Sequence, residues 1–185
     1  MDRPEPTLRI ANPDDAPAVE ALMKQSAAGL FPAFYNEAQV QSAIRFVAHI
    51  DPQLLADGTY FVLESDGDIV ACGGWSRRAR PYAGSGESTD DDRLLDPATE
   101  AANIRAMFVR PDWTRRGLGR RILEAGEAAA LAEGYRRLAL VATLAGVPLY
   151  LAYGFEPIGE PYAITLTDGV KMECLAMGKP ISAAS

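Results

Sequence analysis

Residues 104–120, IRAMFVRPDWTRRGLGR, change character twice in a short space. Residues 104–109 are β-prone, Arg110-Pro111-Asp112 closes that run because proline cannot continue a hydrogen-bonded ladder, and a helical pattern opens at Gly117. The predicted order is strand, basic glycine-containing loop, helix. That junction suits an anion such as a pyrophosphate. The first N–H groups of a helix have no intrahelical acceptor, and the helix dipole is positive at that end. Gly117 and Gly119 let the backbone approach a ligand closely, while Arg115, Arg116 and Arg120 add positive charge. Neither Gly-x-x-x-x-Gly-Lys nor Gly-x-Gly-x-x-Gly occurs there, which argues against nucleotide hydrolysis and hydride transfer.

Downstream, Leu118, Ile122, Ala125, Ala129 and Ala132 continue the helical pattern until Gly134, a favourable C-terminal stop. Residues 138–142 are apolar throughout, as an inner strand requires, so strand, helix and strand predict a right-handed parallel crossover. The next stretch, VATLAGVPLYLAYGF at 141–155, runs from that strand into a short helix over 147–153 that ends at Gly154. Two strand candidates follow, 155–166 with a break at 159–161, and 170–177, joined through Thr167-Asp168-Gly169.

Upstream, an alternating run at 8–11 leads into Asn12-Pro13-Asp14-Asp15, which opens a helix whose Ala18, Val19, Leu22 and Met23 share a face. Gly29 and Pro32 interrupt it. A second helix follows with Val40, Ala43, Ile44 and Val47, and Asp51-Pro52 ends it. His49, the single histidine, is expected on that helix. Residues 60–64 and 69–72 form a predicted hairpin through Ser65-Asp66-Gly67-Asp68. Residues 76–102, with Arg77, Arg78, Arg80 and the run Asp90-Asp91-Asp92, read as a long surface loop that either shapes a substrate entrance or is a solvated insertion.

The chain has 185 residues, 48% apolar, with 18 Lys+Arg against 25 Asp+Glu and a net charge of −7. This fits one domain over 1–181 with a disordered tail at 182–185. The acidic balance argues against sequence-independent nucleic-acid binding, which needs a basic face. Cys72 and Cys174, isolated in apolar stretches, read as buried thiols, and with one histidine no metal site is expected. No leader or membrane-spanning segment is read, so the expected location is cytoplasmic, with no membrane partner.

The two stretches at 104–120 and 141–155 together resemble the GCN5-related N-acetyltransferase family. Its phosphate loop, Arg/Gln-x-x-Gly-x-Gly/Ala, is matched by Gly117 and Gly119, and its Tyr-x-x-x-Gly-Phe by Tyr150, Gly154 and Phe155. The resemblance implies an α/β fold of the α+β kind. Its central twisted sheet would be mixed but mostly antiparallel, with about six or seven strands, about four flanking helices, and a parallel central pair that splays apart. It further implies acetyl-CoA as cosubstrate, without metal, in the cleft between the splayed strands.

Carried over, Met107, Phe108 and Val109 would offer backbone groups to the acetyl and pantetheine portions, and an amide among them could hold the oxyanion. Arg115, Arg116, Gly117, Leu118, Gly119 and Arg120 would bind the pyrophosphate, mainly through amides. Thr114 departs from the family by standing at the first Arg/Gln position. Tyr150 matches the tyrosine proposed to protonate the departing thiolate, whereas Tyr153 is expected to pack. Many relatives carry a glutamate near the start of the central strand; this chain has Asn103 there, with Glu100 just before it. The expected partner is an amine on a small molecule or peptide, with a homodimer left open. Two alternatives are a transferase using another acyl-CoA and a non-catalytic acyl-CoA sensor, the latter motivated by Asn103. Phe31, Phe34, Tyr35, Trp75 and Tyr82 are candidates for lining the acceptor pocket.

Overall fold

The computed structural model describes residues 2–80 and 93–183. The chain order is β1 (Thr7–Ile10), α1 (Ala16–Leu30), α2 (Glu37–Phe46), α3 (Pro52–Ala56), β2 (Tyr60–Ser65), β3 (Asp68–Ser76), β4 (Ala102–Val109), α4 (Leu118–Ala132), β5 (Arg137–Thr143), α5 (Val147–Tyr153), β6 (Glu156–Pro157), β7 (Tyr162–Thr165) and β8 (Lys171–Pro180). Among the described residues these eight strands form one sheet in the order β1-β2-β3-β4-β5-β8-β6, with β7 also pairing β8. Every pairing is antiparallel except β4 with β5, which is parallel across the α4 crossover. The architecture is the expected one, with slightly more strands and one more short helix.

The additional helix, α3, begins where the sequence suggested only an ending. Asp51 is extended, its side chain accepts the Gln53 N–H at 3.0 Å, and Pro52 occupies the first helical position. The same Asp-Pro pair that stops one helix therefore starts another, because a capping carboxylate and a fixed φ suit a helix N-terminus. Consequently His49 lies on the connection between α2 and α3 and not on a helix. The β2–β3 hairpin turns as expected, with Asp66 and Gly67 both at positive φ, 51° and 83°.

The expected loop at 76–102 is described only in part. Pro81 to Asp92, including Tyr82 and the Asp90–Asp92 run, lie outside the described residues, as do Ala184 and Ser185 of the expected tail. The flanks of the loop are anchored. Arg78 grips Asp57 at 2.8 and 2.9 Å, Arg77 reaches Glu133 at 3.0 Å, and Arg78 bridges Leu94 in a single antiparallel contact.

Both faces of the sheet are covered. Trp75, Ile104, Leu123, Tyr135 and Leu138 pack with α4, while Val19, Met23, Leu54, Tyr60 and Cys72 pack with α1 and α3. Cys72 and Cys174 are buried free thiols, as expected. The β2–β3 contact is tight at Gly74, where a Cβ would stand 2.3 Å from the Thr59 carbonyl oxygen and 2.8 Å from the Tyr60 Cα. Both obstacles are backbone, so they cannot rotate aside. Gly74→Ala is expected to cost about 3 kcal/mol or more by overpacking, seen as a lower denaturant midpoint with unchanged slope.

Candidate active site in the cleft between β4 and β5

Strands β4 and β5 pair only at Ala102 with Leu138 and Asn103 with Ala139. Beyond that point β4 leaves its neighbour, and the cause is local. Ala106 sits at φ 52°, a strained position for a residue with a side chain, and the β3–β4 register skips between Cys72 and Gly74. Tyr60, fully buried, donates its hydroxyl to the Ala106 carbonyl at 2.7 Å and so holds the bulge. The Arg110 N–H donates to Val70 of β3 at 2.9 Å. Because amides alternate along an antiparallel strand, that of Val109 is directed away from β3, toward the gap. That gap is a cleft of about 860 Å³.

One end of the cleft is the start of α4. Gly117 caps the helix at φ 76°, with open space where a side chain would project, and Arg115 before it is also at positive φ, 61°. Arg115, Gly117, Leu118, Gly119 and Arg120 line the cleft, with Met107, Phe108 and Val109 on the strand side. Arg116 is not among the lining residues, and its guanidinium lies 4.8 Å from the Trp113 ring centre. Arg120 is shared between Glu124 at 3.2 Å and the face of Tyr153. Gly119 has a second duty besides exposing backbone. A Cβ there would stand 2.7 Å from Leu149, so its absence sets how closely α4 approaches α5. Thr114 turns its hydroxyl back to the Pro111 carbonyl at 3.0 Å, which closes the loop that precedes the helix.

Tyr150, on α5, faces the same cleft and is 8% exposed. Its ring packs edge-on against Phe155, 5.7 Å between centres, and over Gly146, where a Cβ would come within 2.9 Å of it. The Tyr-x-x-x-Gly-Phe spacing thus fixes the ring through its own Phe. Burial raises the Tyr150 pKa, and among the described residues its hydroxyl has no hydrogen-bond partner. Tyr153 points elsewhere. Its hydroxyl donates to Glu127 at 2.5 Å, with Arg120 and Lys179 over its ring.

Part of the cleft wall is apolar, with Phe31, Val47, Ile164 and Met172 packed in one cluster and Phe34 also lining the cleft. Two of the other aromatic candidates do not contribute. The Tyr35 hydroxyl donates to the Glu173 carbonyl at 2.6 Å and accepts the Leu144 N–H at 2.9 Å, while Trp75 is buried against Tyr135. Neither polar residue near the start of β4 reaches the cleft. Asn103 donates to the Arg78 carbonyl at 2.9 Å, and Glu100 is held by Arg93 at 2.8 and 3.0 Å. Instead the cleft carries His49, Asp51 and Arg105. None of the three stood out in the sequence. Asp51 read only as a helix terminator, and Arg105 was one basic residue inside a strand pattern. Desolvation pulls the Arg105 pKa down, opposed by the neighbouring Asp51.

Among the described residues no helix is long and apolar enough to cross a membrane. No curated protein sequence matches the chain. Solved structures do. A GCN5-related N-acetyltransferase from Rhodopseudomonas palustris superposes with a TM-score of 0.72 at 20% identity, covering 98% of this chain and 99% of that one. The PaiA N-acetyltransferase of Thermoplasma acidophilum, in complex with coenzyme A, gives 0.67 at 15% identity, covering 96% and 100%. The ribosomal-protein-S18-alanine N-acetyltransferase of Escherichia coli gives 0.57 at 22% identity, covering 97% and 96%. The family model for the acetyltransferase (GNAT) domain matches residues 56–157, more than half of the chain. With that match spanning the splayed strand pair, the glycine loop and the tyrosine of α5, the chain belongs to the GNAT acetyltransferase family.

Proposed function

We propose that the protein transfers an acetyl group from acetyl-CoA to an amine of a small molecule or peptide, by direct attack with both substrates bound. One observation carries this reading: a single cleft joins the open N-terminus of α4, the unpaired edge of β4 and the side chain of Tyr150. These residues fit an acyl-CoA. The amides at Gly117 to Arg120, with Arg115 and Arg120, suit a pyrophosphate, and the space over Gly117 leaves room for one. The Val109 amide suits a carbonyl of an extended pantetheine chain, which would pair with β4 as a strand does.

Acetyl-CoA supplies the thioester. The chain's part is to orient and to manage charge. An amide of Met107 to Val109 meets the negative charge that develops on the thioester carbonyl oxygen. Once the ammonium has lost a proton to water, its nitrogen bonds to the carbonyl carbon and the carbonyl π pair moves onto oxygen. Tyr150 gives its proton to the departing sulfur as the carbon–sulfur bond breaks, and regains one from the new amide nitrogen. A buried phenol with a raised pKa keeps its proton at neutral pH, which suits a donor. The test is thiol release from acetyl-CoA across small amines, amino acids, polyamines and peptides. Enzyme-dependent thiol with equimolar N-acetyl product is expected from at least one class; acetyl-CoA binding without release from any would favour the sensor.

A further inference from the structure

We propose that Arg105 binds a carboxylate of the acceptor, so that the amine acetylated belongs to a free amino acid. This rests on the transferase reading above. Arg105 is on β4, lines the cleft and is 4% exposed. A guanidinium has N–H donors on all three of its nitrogens. In Arg105, Nη1 donates to the Arg80 carbonyl at 3.1 Å and Nη2 to Asp51 Oδ2 at 3.3 Å, while Nε has no protein acceptor among the described residues. Nor is Nε sealed in the core. Among the described residues, the side-chain polar atoms that are both fully buried and unpartnered are the Thr59 hydroxyl oxygen and the Trp113 indole nitrogen. The unused edge of the guanidinium therefore opens on the cleft that Arg105 lines.

Asp51 does not exhaust this donor. Its Oδ1 accepts the Gln53 amide at 3.0 Å, and its Oδ2 is faced by both Arg105 at 3.3 Å and Arg80 Nη1 at 3.6 Å. Burial pulls the Arg105 pKa down further than the Asp51 contact pushes it up, so the carboxylate offsets only part of the cost of holding that charge out of water. A second carboxylate, laid against the planar fork, would supply both the missing acceptor and the missing charge. A neutral carbonyl would supply the acceptor alone, which separates an amino acid from a peptide N-terminus.

The placement suits a small acceptor. Ile104 packs on the α4 face of the sheet, and its neighbour Arg105 meets Asp51, the residue that opens α3 on the other face. A pyrophosphate at the start of α4 and a carboxylate on Arg105 would thus enter from opposite faces and meet at β4. Arg105 precedes Met107 by two residues, about 7 Å along a strand. A carboxylate on Arg105 and a thioester at Met107 to Val109 are then a small molecule's length apart.

The experiment measures, by calorimetry on the CoA-saturated protein, the binding of glycine, β-alanine, L-leucine and L-phenylalanine, each beside its own carboxamide. The carboxamide keeps the amine and the carbon skeleton and presents the neutral group that a peptide would. At least one acid is expected to bind tenfold or more tightly than its carboxamide, a comparison that needs no variant. Arg105→Lys keeps a cation beside Asp51 but loses the planar fork. It is expected to weaken binding of that acid at least tenfold and of its carboxamide less than threefold, with the CoA dissociation constant unchanged. Carboxamides that bind as tightly as the acids would overturn the assignment. So would an acid affinity that Arg105→Lys leaves unchanged, or a loss equal for acid and carboxamide. If CoA binds but none of the acids does, this inference fails and the acyl-CoA reading stands; if CoA does not bind, both fail.

Discussion

Replacing Gly117 with aspartate is expected to raise the acetyl-CoA dissociation constant about 100-fold. A carboxylate about 5 Å from a phosphate costs roughly 3 kcal/mol at an effective dielectric constant of about 20, and about 1.4 kcal/mol is a factor of ten. The substitution is informative because it has somewhere to go. No atom lies within 4 Å of a Cβ built at Gly117, which lines the cleft, so the side chain enters open space without a clash. Its φ of 76° does impose strain, about 1–2 kcal/mol, though aspartate and asparagine tolerate that region better than most residues. Gly117→Asn carries the same strain without the charge. Calorimetry should show the asparagine variant within about tenfold of wild type and the aspartate variant far weaker. Equal binding by the two variants would mean that the pyrophosphate lies elsewhere.

Tyr150→Phe is expected to lower kcat by about 10²–10³ while leaving acetyl-CoA affinity within about twofold, the range for losing a positioned proton donor. The ring stays, so its contacts with Phe155 and Gly146 stay. Because the hydroxyl has no partner among the described residues, its loss should not lower the Tm. The pH dependence has a definite sign. Burial raises the pKa, so the donor form persists to higher pH than in a free phenol, and the ratio of wild-type to variant kcat should stay level from about pH 7 to about pH 10. Stopped-flow measurement of the transfer step checks this. An unchanged rate for that step would return Tyr150 to a packing role.

The parts of the site that were legible in the sequence are those built from neighbours along the chain. The glycine loop and the Tyr-x-x-x-Gly-Phe helix hold their geometry through short-range means: a left-handed cap at Gly117, a tyrosine packed on its own Phe155, and a hydroxyl of Thr114 that closes its own turn. The crossover of β4, α4 and β5 was legible for the same reason, since an apolar strand and an amphipathic helix declare themselves by period. The part of the cleft at Asp51, Arg105 and Ala106 was not, because contacts between distant segments make it. Asp51 meets Arg105 across 54 positions, and Tyr60 holds the Ala106 bulge across 46. No local pattern marks either. The aromatic candidates divided along the same line. Phe31 and Phe34 face the cleft, whereas Tyr35 and Trp75 are drawn into backbone hydrogen bonds and core packing.

A crystal structure of the protein with coenzyme A bound tests the central claim most directly. The expected result places the pyrophosphate on the amides of Gly117 to Arg120, the pantetheine chain along the β4 edge at Met107 to Val109, and the sulfur beside the Tyr150 hydroxyl. Coenzyme A seated outside the β4–β5 cleft, or within it with the sulfur remote from Tyr150, would contradict that claim.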